Sequence, residues 1–426
     1  MVVSVLAPLG GIEAALVPLA IELKAQGHEV RVYALQPVRQ LNQNAQALGA
    51  AGIPLTTTPA WLYPLLRASV DHGANWIERL CWLATPALAL VALYDAARRS
   101  RPFQRALRGA AGTLRERLAG WLDFESWLYA PLGQALRQAP AEAVHVHGWG
   151  CGEDPPGALR WLARQAYPLV YTEHNSPDPA RHARMAAAPM NVADVLIAVS
   201  QAGANGLRMV GDARPPIMVI PYSVPPLPAA QPESHTGLVL TCFARLHPQK
   251  GQPVLIEALA QVVSLAPNVQ LLLAGAGPTR ADLEARVARL GLEHRVTFLG
   301  LVSRAGLPAL LARTDVVVLP SYWEGLPVSL IESLSAGKAI VASHVGGNPE
   351  LVSDGVNGLL VPPGDAPALA QALLSLSGDP ERVRRMGAAS RERFAAGGFA
   401  PAAVARQHLA AYRSAIEAHV VRQMPA

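Results

Sequence analysis

Short apolar runs alternate along the chain with longer stretches in which apolar residues recur every three or four positions. In the first half the predicted strands, most of them built on such runs, lie at residues 2–7, 28–34, 143–146, 169–173, 192–199 and 217–220. In the second half they lie at residues 238–244, 269–274, 296–299, 316–320, 339–342 and 358–361. Uninterrupted apolar runs are typical of parallel strands buried on both faces. The alternation therefore predicts an α/β protein with two doubly wound sheets.

A proline-rich stretch separates the two series of predicted strands. Residues 214–236 contain seven prolines and, apart from the short run at 217–220, cannot form regular structure. The pattern predicts an N-terminal domain of residues 1–213, a linker of residues 214–236 and a C-terminal domain of residues 237–400. Residues 401–426 are predicted to form a last helix.

Glycine and histidine residues lie at the ends of several predicted strands of the first half. The first strand leads into Gly10-Gly11 and then into an amphipathic helix. This turn either lets a ligand approach the backbone or is merely tight, and the residues alone leave both open. His145, His147 and His174 lie in or directly after strands. For each histidine a satisfied structural role is the simpler interpretation, and a ligand contact is the alternative.

The loop after the first strand of the second half combines positive charge with a helix start. It contains Arg245 and Lys250, and Pro253 opens the following helix. Arginine can bind phosphate oxygens with two parallel hydrogen bonds, and lysine acts as a compact point charge. The N–H groups at a helix start also favour an anion. The loop therefore predicts a pyrophosphate site, with exposed surface cations as the alternative.

A second loop, residues 320–327, carries a carboxylate and another helix start. Glu324 precedes Gly325 at the turn, Pro327 is expected at the first helical position, and Glu332 follows inside the helix. The helix start suits a phosphate, and the carboxylates suit hydroxyl groups. A ligand that has both phosphate and hydroxyls is a nucleotide sugar.

Other nucleotide and metal motifs are incomplete. Gly275 and Gly277 form half of a dinucleotide fingerprint, but Arg280 occupies the position of its third glycine. Gly337-Lys338 lacks the upstream glycine of a P-loop, and the sequence contains no Asp-x-Asp triplet for a divalent metal. We therefore exclude NAD and P-loop sites. Cations and helix dipoles, without a metal, are expected to neutralise the leaving group.

Composition and apolar segments indicate the cellular compartment of the protein. The chain has 426 residues, a formal net charge of +5 and three cysteines, which form no CxxC pair. Such cysteine usage predicts a reducing compartment. The apolar N-terminus lacks the basic start of a signal peptide, and no proline-free apolar run is long enough to span a membrane. These features predict a cytoplasmic protein.

Residues 61–138 differ from the rest of the N-terminal half. They contain five of the eight tryptophans, and residues 98–117 hold seven arginines and one glutamate. Aromatic residues beside a basic cluster can form a peripheral membrane surface. Core helices with a solvated arginine face are the alternative, and the residues favour it slightly.

Taken together, these motifs resemble those of retaining nucleotide-sugar glycosyltransferases of the GT-B fold, close to glycosyltransferase family 4. In the first half the resemblance rests on residues 10–13 and 194–200. In the second half it rests on Arg245, Lys250-Gly251, the seven-residue spacing between Glu324 and Glu332, and residues 343–358. The resemblance implies two Rossmann-like domains that face each other across a cleft, and a last helix that crosses back to the N-terminal domain.

The resemblance also implies roles for individual residues. Arg245 and Lys250 would stabilise the departing diphosphate, Glu332 would accept hydrogen bonds from ribose, and Glu324 would hold sugar hydroxyls. His174 would lie close to the reacting carbon. The full set comprises the catalytic residues His174, Arg245, Lys250 and Glu324, and the donor-binding residues Gly11, Arg245, Lys250, Gly325, Leu326, Pro327, Val328 and Glu332.

The expected function is transfer of a hexose-type sugar from a UDP- or GDP-sugar to a saccharide or lipid-linked acceptor, with retention of configuration. No cofactor, metal or nucleic acid is expected, and cell-surface polysaccharide or glycoconjugate synthesis is the expected setting. Peripheral contact with the inner face of the membrane is an open alternative to a purely cytoplasmic location. A catalytically silent nucleotide-sugar-binding subunit and a nucleotide-sugar epimerase are the alternative functions.

Two positions depart from the family pattern. Tyr222-Ser223-Val224-Pro225 replaces the usual Asn-Gly-Val/Ile-Asp segment at the end of the N-terminal domain, and Asn348 replaces an aliphatic residue. The first departure makes the chemistry of the hinge an open question, and the sequence does not predict the effect of the second.

Overall fold

The structure is a computed structural model that describes residues 1–3, 11–35, 42–58, 129–148, 155–175, 190–210, 215–227 and 236–423. Within these ranges it forms two parallel sheets flanked by helices, which confirms the predicted α/β class with two Rossmann-like domains.

The N-terminal sheet contains, among the described residues, seven parallel strands in the order β3-β2-β1-β4-β5-β6-β7. The strands are β1 (Val2–Val3), β2 (Val32–Ala34), β3 (Leu55–Thr57), β4 (Val144–Gly148), β5 (Leu169–Glu173), β6 (Val195–Ala198) and β7 (Ile217–Val219). The helices are α1 (Gly11–Ala25), α2 (Gln43–Ala50), α3 (Ala130–Gln138), α4 (Pro155–Ala163) and α5 (Gln201–Val210). Strand β4 is buried along its whole length, as expected of an inner parallel strand.

The C-terminal sheet has six parallel strands in the order β10-β9-β8-β11-β12-β13. They are β8 (Val239–Phe243), β9 (Gln270–Ala274), β10 (Val296–Gly300), β11 (Val316–Leu319), β12 (Ala339–Ser343) and β13 (Gly358–Val361). The helices are α6 (Gln252–Leu265), α7 (Arg280–Arg289), α8 (Leu307–Ala312), α9 (Val328–Ser335), α10 (Asn348–Leu351), α11 (Ala366–Ser377) and α12 (Pro380–Ala396). Leucine, valine and isoleucine side chains fill both faces of this sheet.

Local capping residues set several helix ends. Gly27 follows α1 with a φ of 91°, a left-handed conformation that glycine adopts without strain. The side chain of Ser200 accepts a hydrogen bond from the N–H of Gly203 at 3.0 Å and so caps α5, a role that serine favours. Pro327 is the exception: it precedes α9 as its N-cap, and the helix begins at Val328. The prediction that Pro327 is the first helical residue was therefore wrong by one position.

The last helix, α13 (Pro401–Gln423), packs on α1 and against strands β5 and β6. Its small residues Val404, Ala405, Ala411 and Ala415 are buried against the apolar side of the N-terminal domain. Arg422 forms an ion pair with the buried Asp194 at 3.1 Å. The chain therefore crosses back from the C-terminal domain to the N-terminal domain, as the resemblance implied.

The proline-rich segment begins inside the first sheet. Strand β7 (Ile217–Val219) pairs with β6 as the edge strand, and the chain then leaves the sheet as irregular structure through residue 227. The predicted limits of the linker and of the domains stay a prediction.

Candidate functional site

The C-terminal domain places its two candidate loops next to each other. Strands β8 and β11 are neighbours in the sheet, but their flanking helical connections run in opposite directions from this point. In open α/β sheets a crevice forms outside the carboxyl ends of the strands at such a switch point. The loop after β8 carries Arg245 and Lys250, and the loop after β11 carries Glu324. Strand order thus brings the predicted cations and carboxylate together.

Lys250 and Glu324 form a buried ion pair in this crevice. The Lys250 Nζ lies 2.6 Å from the Glu324 Oε1, and the two side chains are only 14% and 6% exposed. Ser321 donates a second hydrogen bond of 2.6 Å to the same carboxylate oxygen. An ion pair removed from water retains much more of its Coulomb energy than an exposed pair. The carboxylate is therefore held in one position before any ligand binds.

Two glutamines hold the lysine loop against the glutamate loop. Gln249 donates to the backbone carbonyl of Trp323 at 2.9 Å, and the carbonyl of Gln249 accepts from the N–H of Tyr322 at 2.8 Å. Gln252, fully buried, donates to the carbonyl of Arg245 at 2.7 Å. The Arg245 side chain itself is exposed on this loop. The loop backbone is therefore rigid, while the arginine reaches outward.

Gly275 and Gly277 support the same loop from the next strand. A Cβ atom on Gly275 would lie 1.9 Å from the carbonyl oxygen of Ala244, and one on Gly277 would lie 2.1 Å from that of Leu246. Only glycine permits this close backbone approach. The glycine pair that resembled half of a dinucleotide fingerprint thus packs the chain beneath the cationic loop.

Glu332 forms a second ion pair, in which the carboxylate is buried and its partner is partly exposed. Its Oε1 lies 2.9 Å from a guanidinium nitrogen of Arg304, whose other terminal nitrogen donates to the carbonyl of Pro225 at 2.8 Å. Burial raises the pKa of Glu332 to about 7, although Arg304 acts in the opposite direction. The carboxylate is 8% exposed and the arginine 36% exposed, so the pair lies at the edge of the crevice.

The backbone of the 324–328 loop touches the N-terminal domain. A Cβ atom on Gly325 would lie 1.9 Å from the carbonyl oxygen of His174. Leu326 and Val328 are buried in an apolar cluster that also includes Ala15 and Val199 of the N-terminal domain. His174 of the first half and Gly325 of the second half, both predicted site residues, are therefore brought into direct contact.

His174 is held from both sides of its ring. Its Nδ1 lies 2.9 Å from the hydroxyl of Tyr222, and its Nε2 lies 3.2 Å from the Nδ1 of His147. Burial lowers the pKa of His174 to about 3, with a smaller contribution from His408. The imidazole is therefore neutral at pH 7 and fixed in its plane by two hydrogen bonds.

The ring contacts continue into the N-terminal domain. The rings of His145 and His147 lie 4.0 Å apart, and His145 bonds to Thr172 at 2.6 Å and to Tyr412 of α13 at 2.9 Å. Burial lowers the pKa of both His145 and His147. We call His145, His147, His174, His408, Tyr222 and Tyr412 the histidine network. It links the crevice to the last helix without any buried positive charge.

A small cavity lies beside the histidine network. It has a volume of about 20 Å³, enough for about one water molecule, and is lined by His147, His174, Tyr222 and Ser223 among others. The His147 Nε2 and the Ser223 Oγ are buried without a hydrogen-bond partner among the described residues. A buried water is the usual partner of such atoms.

Several of these residues were missed by sequence reasoning. Tyr222, Arg304 and Ser321 had no motif to mark them, and His147 was left with a structural interpretation. The departure at residues 222–225 was the one available signal, because it put a tyrosine where the family pattern has asparagine. Gly11 begins α1 as expected of a glycine turn, while Gly10 lies outside the described residues.

Asn348, the other departure, also has a structural role. It is fully buried, and its side-chain amide donates to the carbonyl of Ser343 at 2.8 Å. An aliphatic residue would leave this carbonyl without that donor.

In the part of the chain that the structure describes, no group of three or more histidine, cysteine, aspartate or glutamate residues could hold a metal ion. Nor does any described helix have the length and apolar character needed to cross a bilayer. The tryptophan- and arginine-rich segment, for which core helices and a membrane contact were the two interpretations, lies for residues 61–128 outside the described residues.

Comparison with known proteins identifies the family. A family model described as Glycosyltransferase Family 4 matches residues 88–226, and one described as Glycosyl transferases group 1 matches residues 225–393. A D-inositol 3-phosphate glycosyltransferase from Segniliparus rotundus is 31% identical over 314 residues, which cover 66% of this chain and 68% of that protein. The chain belongs to glycosyltransferase family 4. The predicted resemblance is confirmed, and the protein is a glycosyltransferase.

Other members of the family match over shorter stretches. A GDP-mannose-dependent alpha-(1-6)-phosphatidylinositol monomannoside mannosyltransferase from Mycolicibacterium smegmatis is 34% identical over 160 residues, or 36% of this chain and 42% of that protein. Here the match spans less than half of the relative. Its activity is therefore not carried over to this family 4 chain.

Solved structures show the same fold over almost the whole chain. Anabaena HepE in complex with UDP and glucose has a TM-score of 0.68 at 22% identity and covers 97% of this chain and 99% of its own. Sucrose-phosphate synthase from Thermosynechococcus elongatus has a TM-score of 0.68 at 21% identity, with 98% of both chains covered. These likenesses confirm the GT-B fold of this family 4 member.

Proposed function

We propose that this glycosyltransferase moves a hexose-type sugar from a nucleoside-diphosphate sugar to a hydroxyl of a saccharide or lipid-linked acceptor, with retention of configuration and without a metal. The observation that carries the proposal is the buried pair of Lys250 and Glu324 at the switch point, in a loop that touches His174. A cation, a carboxylate and a neutral imidazole meet at one crevice.

The ion pair suits a charged leaving group. When a diphosphate enters the crevice, its negative charge competes with Glu324 for the ammonium group of Lys250. The carboxylate oxygens then become available to accept hydrogen bonds from sugar hydroxyls. Arg245, exposed on the same loop, adds a second cation, and the N-termini of α6 and α9 add their dipoles. These groups stabilise the charge that develops as the sugar–phosphate bond breaks.

Glu332 is placed to recognise the ribose. Its carboxylate lies at the crevice edge, where Arg304 donates a hydrogen bond to the Oε1 and thereby orients the group. The Oε2 can then accept a hydrogen bond from a ribose hydroxyl. Gly325, Leu326, Pro327 and Val328 present backbone groups to the phosphate or sugar, and Gly11 does the same from the N-terminal domain.

His174 lies close to the reacting carbon as a neutral group and not as a proton carrier, because its pKa of about 3 keeps it unprotonated and its two ring nitrogens are bonded to Tyr222 and His147. In the reaction the anomeric carbon loses its bond to the diphosphate oxygen and gains one to the acceptor oxygen. The acceptor proton passes to the departing phosphate on the same face, which retains the configuration. No oxidant, reductant or metal is needed for this balance.

Named relatives support the choice of substrates. HepE was solved with UDP and with UDP-glucose, and the Mycolicibacterium smegmatis mannosyltransferase is named as dependent on GDP-mannose. Acceptors named for relatives include D-inositol 3-phosphate, phosphatidylinositol monomannoside and 2-deoxystreptamine. UDP- and GDP-sugars are therefore the first donors to test, and polyhydroxylated rings, free or attached to a lipid, are the first acceptors.

Thermal-shift measurements against UDP-, GDP- and ADP-sugars test donor binding. A sugar nucleotide that raises the melting temperature is then used to measure nucleotide release with an acceptor panel, and NMR of the product reports the anomeric configuration. Binding without release of nucleotide with any acceptor would favour a silent binding subunit. A product of inverted configuration would overturn the proposed mechanism.

We also propose that the protein acts in the cytoplasm, in the synthesis of cell-surface polysaccharide or glycoconjugate, with residues 61–138 contacting the inner face of the membrane. The arginines and tryptophans of that segment support the contact. Liposome flotation with anionic vesicles tests it. Replacement of the arginines of residues 98–117 by glutamine should reduce flotation, and unchanged flotation would contradict the contact.

A further inference from the structure

The N-terminus of helix α5 in the N-terminal domain is completed by a residue of the other domain. The N–H of Gln201 donates to the Glu350 Oε2 at 2.8 Å, and the N–H of Ala202 donates to the Glu350 Oε1 at 2.8 Å. Glu350 belongs to α10 of the C-terminal domain. Both oxygens of one carboxylate therefore bind the start of a helix across the domain interface.

The two N–H groups of α5 that follow these bind Ser200. Ser200 accepts from Gly203 through its hydroxyl and from Ala204 through its carbonyl, both at 3.0 Å. Gln201 and Ala202 are left for Glu350. A helix start normally obtains such partners from its own segment or from water. Here the partners of Gln201 and Ala202 are present only while the domains are in contact.

Glu350 is itself fixed to the donor loop. The N–H of Gly347 donates to the carbonyl of Gly325 at 2.9 Å, which ties the segment before α10 to the 324–328 loop. The guanidinium of Arg393 binds the backbone carbonyl of Glu350. The carboxylate is therefore a rigid extension of the loop that carries Glu324.

The contacts beside this carboxylate are apolar packing, which has no preferred direction, and close backbone approaches at glycine. A Cβ atom on Gly347 would lie 3.1 Å from the Cβ of Ser200, and one on Gly325 would meet the carbonyl of His174. Glycine at these positions only permits the approach. The charge-assisted hydrogen bonds of Glu350 supply directed attraction beside the reacting centre.

We propose that Glu350 is a positioning residue that latches the two domains: by capping α5 across the interface, it holds His174 against the backbone of Gly325–Val328. Water can replace the partners on both sides when the domains separate, so the latch is reversible and biases the closed arrangement without locking it. The latch does not depend on the identity of the donor, although its effect on turnover rests on the proposed function.

The test compares Glu350→Ala with a variant on the opposite side of the latch. Gln201→Pro removes one of the two donated N–H groups, and proline is tolerated at the first position of a helix. Glu293→Ala is the matched control, because it removes an exposed carboxylate of the same domain outside the crevice.

Spin labels at Met209→Cys and Leu265→Cys report the distance between the domains in the ligand-free protein. These residues are 66% and 75% exposed, and Cys81 and Cys151 are replaced by serine. We expect Glu350→Ala to raise the ratio of open to closed molecules by about 10-fold, in the range for loss of a helix cap. Gln201→Pro should give a smaller shift, and the double variant should add little to Glu350→Ala alone.

Turnover provides the second readout. Donor affinity should stay within about twofold, because the donor-binding side chains lie on the C-terminal loops, while kcat should fall by about 10-fold.

Distance distributions like those of Glu293→Ala in both variants would overturn the latch. Strictly additive effects of Glu350→Ala and Gln201→Pro on the ratio of open to closed molecules would also overturn it, because Glu350 would then act at another contact. If Glu350→Ala does not fold, the distance distribution of Gln201→Pro alone tests the latch. Absence of turnover in every protein, with the shifts intact, would contradict only the proposed reaction.

Discussion

The two sides of the crevice differ in the charge of the side chains that line them. The C-terminal side holds its carboxylates in ion pairs, Glu324 with Lys250 and Glu332 with Arg304. The N-terminal side presents His174 and Tyr222, which burial keeps neutral by lowering the pKa of the histidine and raising that of the tyrosine. On the C-terminal side a charged ligand can replace one partner of an ion pair. The N-terminal side presents neutral polar groups.

This difference follows from what each side must bind in the proposed reaction. A diphosphate carries charge, so its site needs cations that already have a partner in its absence; otherwise a buried cation would be left uncompensated. An acceptor hydroxyl is neutral, and a permanent charge beside it would attract water or the wrong ligand.

Lys250→Ala should have the largest effect. It removes the partner of a buried carboxylate, so we expect a loss of about 3 kcal/mol in the free energy of unfolding. Nucleotide release should fall about 1,000-fold, because a stabilising group for the leaving charge is gone. Urea denaturation and steady-state kinetics measure the two effects. The double variant Lys250→Met/Glu324→Gln should recover stability but not activity. Activity retained by Lys250→Ala would refute the role of the pair.

Gly325→Ala tests the contact between the two sides. The added Cβ would clash with the carbonyl oxygen of His174, so the domains must shift apart by about an ångström. A displacement of that size at a reacting centre costs about 100-fold in rate. Each domain should still fold. Gly378→Ala is the control, because a Cβ there meets nothing within 4 Å. Equal kinetics for the two variants would show that the contact is not needed.

Glu332→Gln should weaken donor binding without changing the chemical step. We expect KM for the donor to rise about 10-fold at pH 8 with kcat retained, because the interaction is made equally before and in the transition state. The pKa of Glu332 is about 7, so the wild-type carboxylate loses its charge as pH falls from 8 to 6. Wild-type KM should therefore rise over that interval, whereas KM of the variant should stay flat. A parallel rise in both would assign the dependence to another group.

His408→Phe should have the smallest effect, on the pH dependence of stability. Burial lowers the pKa of His408 to about 4, from 6.5. Between these values the unfolded chain binds a proton that the folded protein does not, so acid favours unfolding. Replacing the histidine should reduce the slope of unfolding free energy against pH by up to about 1.4 kcal/mol per unit between pH 4 and 6.5.

The other histidines of the network act in the same direction, and Glu173 and Glu332, whose pKa values are raised to about 7, act in the opposite one. The effect of His408→Phe is therefore compared with that of Val404→Ala, a second variant of helix α13. Val404→Ala should lower stability at every pH and leave the slope unchanged, because it removes packing but no titrating group. Urea denaturation at pH 5, 6 and 7 distinguishes the two.

Much of the fold is determined by local sequence. The strands Leu169–Glu173 and Gly358–Val361 lie where they were predicted, and Gly27 and Ser200 end or cap their helices in the way that glycine and serine favour. These features depend on neighbouring residues, whose periodicity and backbone preferences are visible in the chain. The family motif also marked Lys250, Glu324 and Glu332.

Only the tertiary structure decided which of these groups meet. Lys250 and Glu324 are 74 positions apart and become partners because β8 and β11 are neighbours at the switch point. Arg304 joins Glu332, Tyr222 joins His174, and Glu350 caps a helix of the other domain. Strand order and domain closure arise from the burial of apolar surface over the whole chain, and no local pattern records them. Sequence therefore identified Lys250, Glu324 and Glu332, and the fold alone determined their partners.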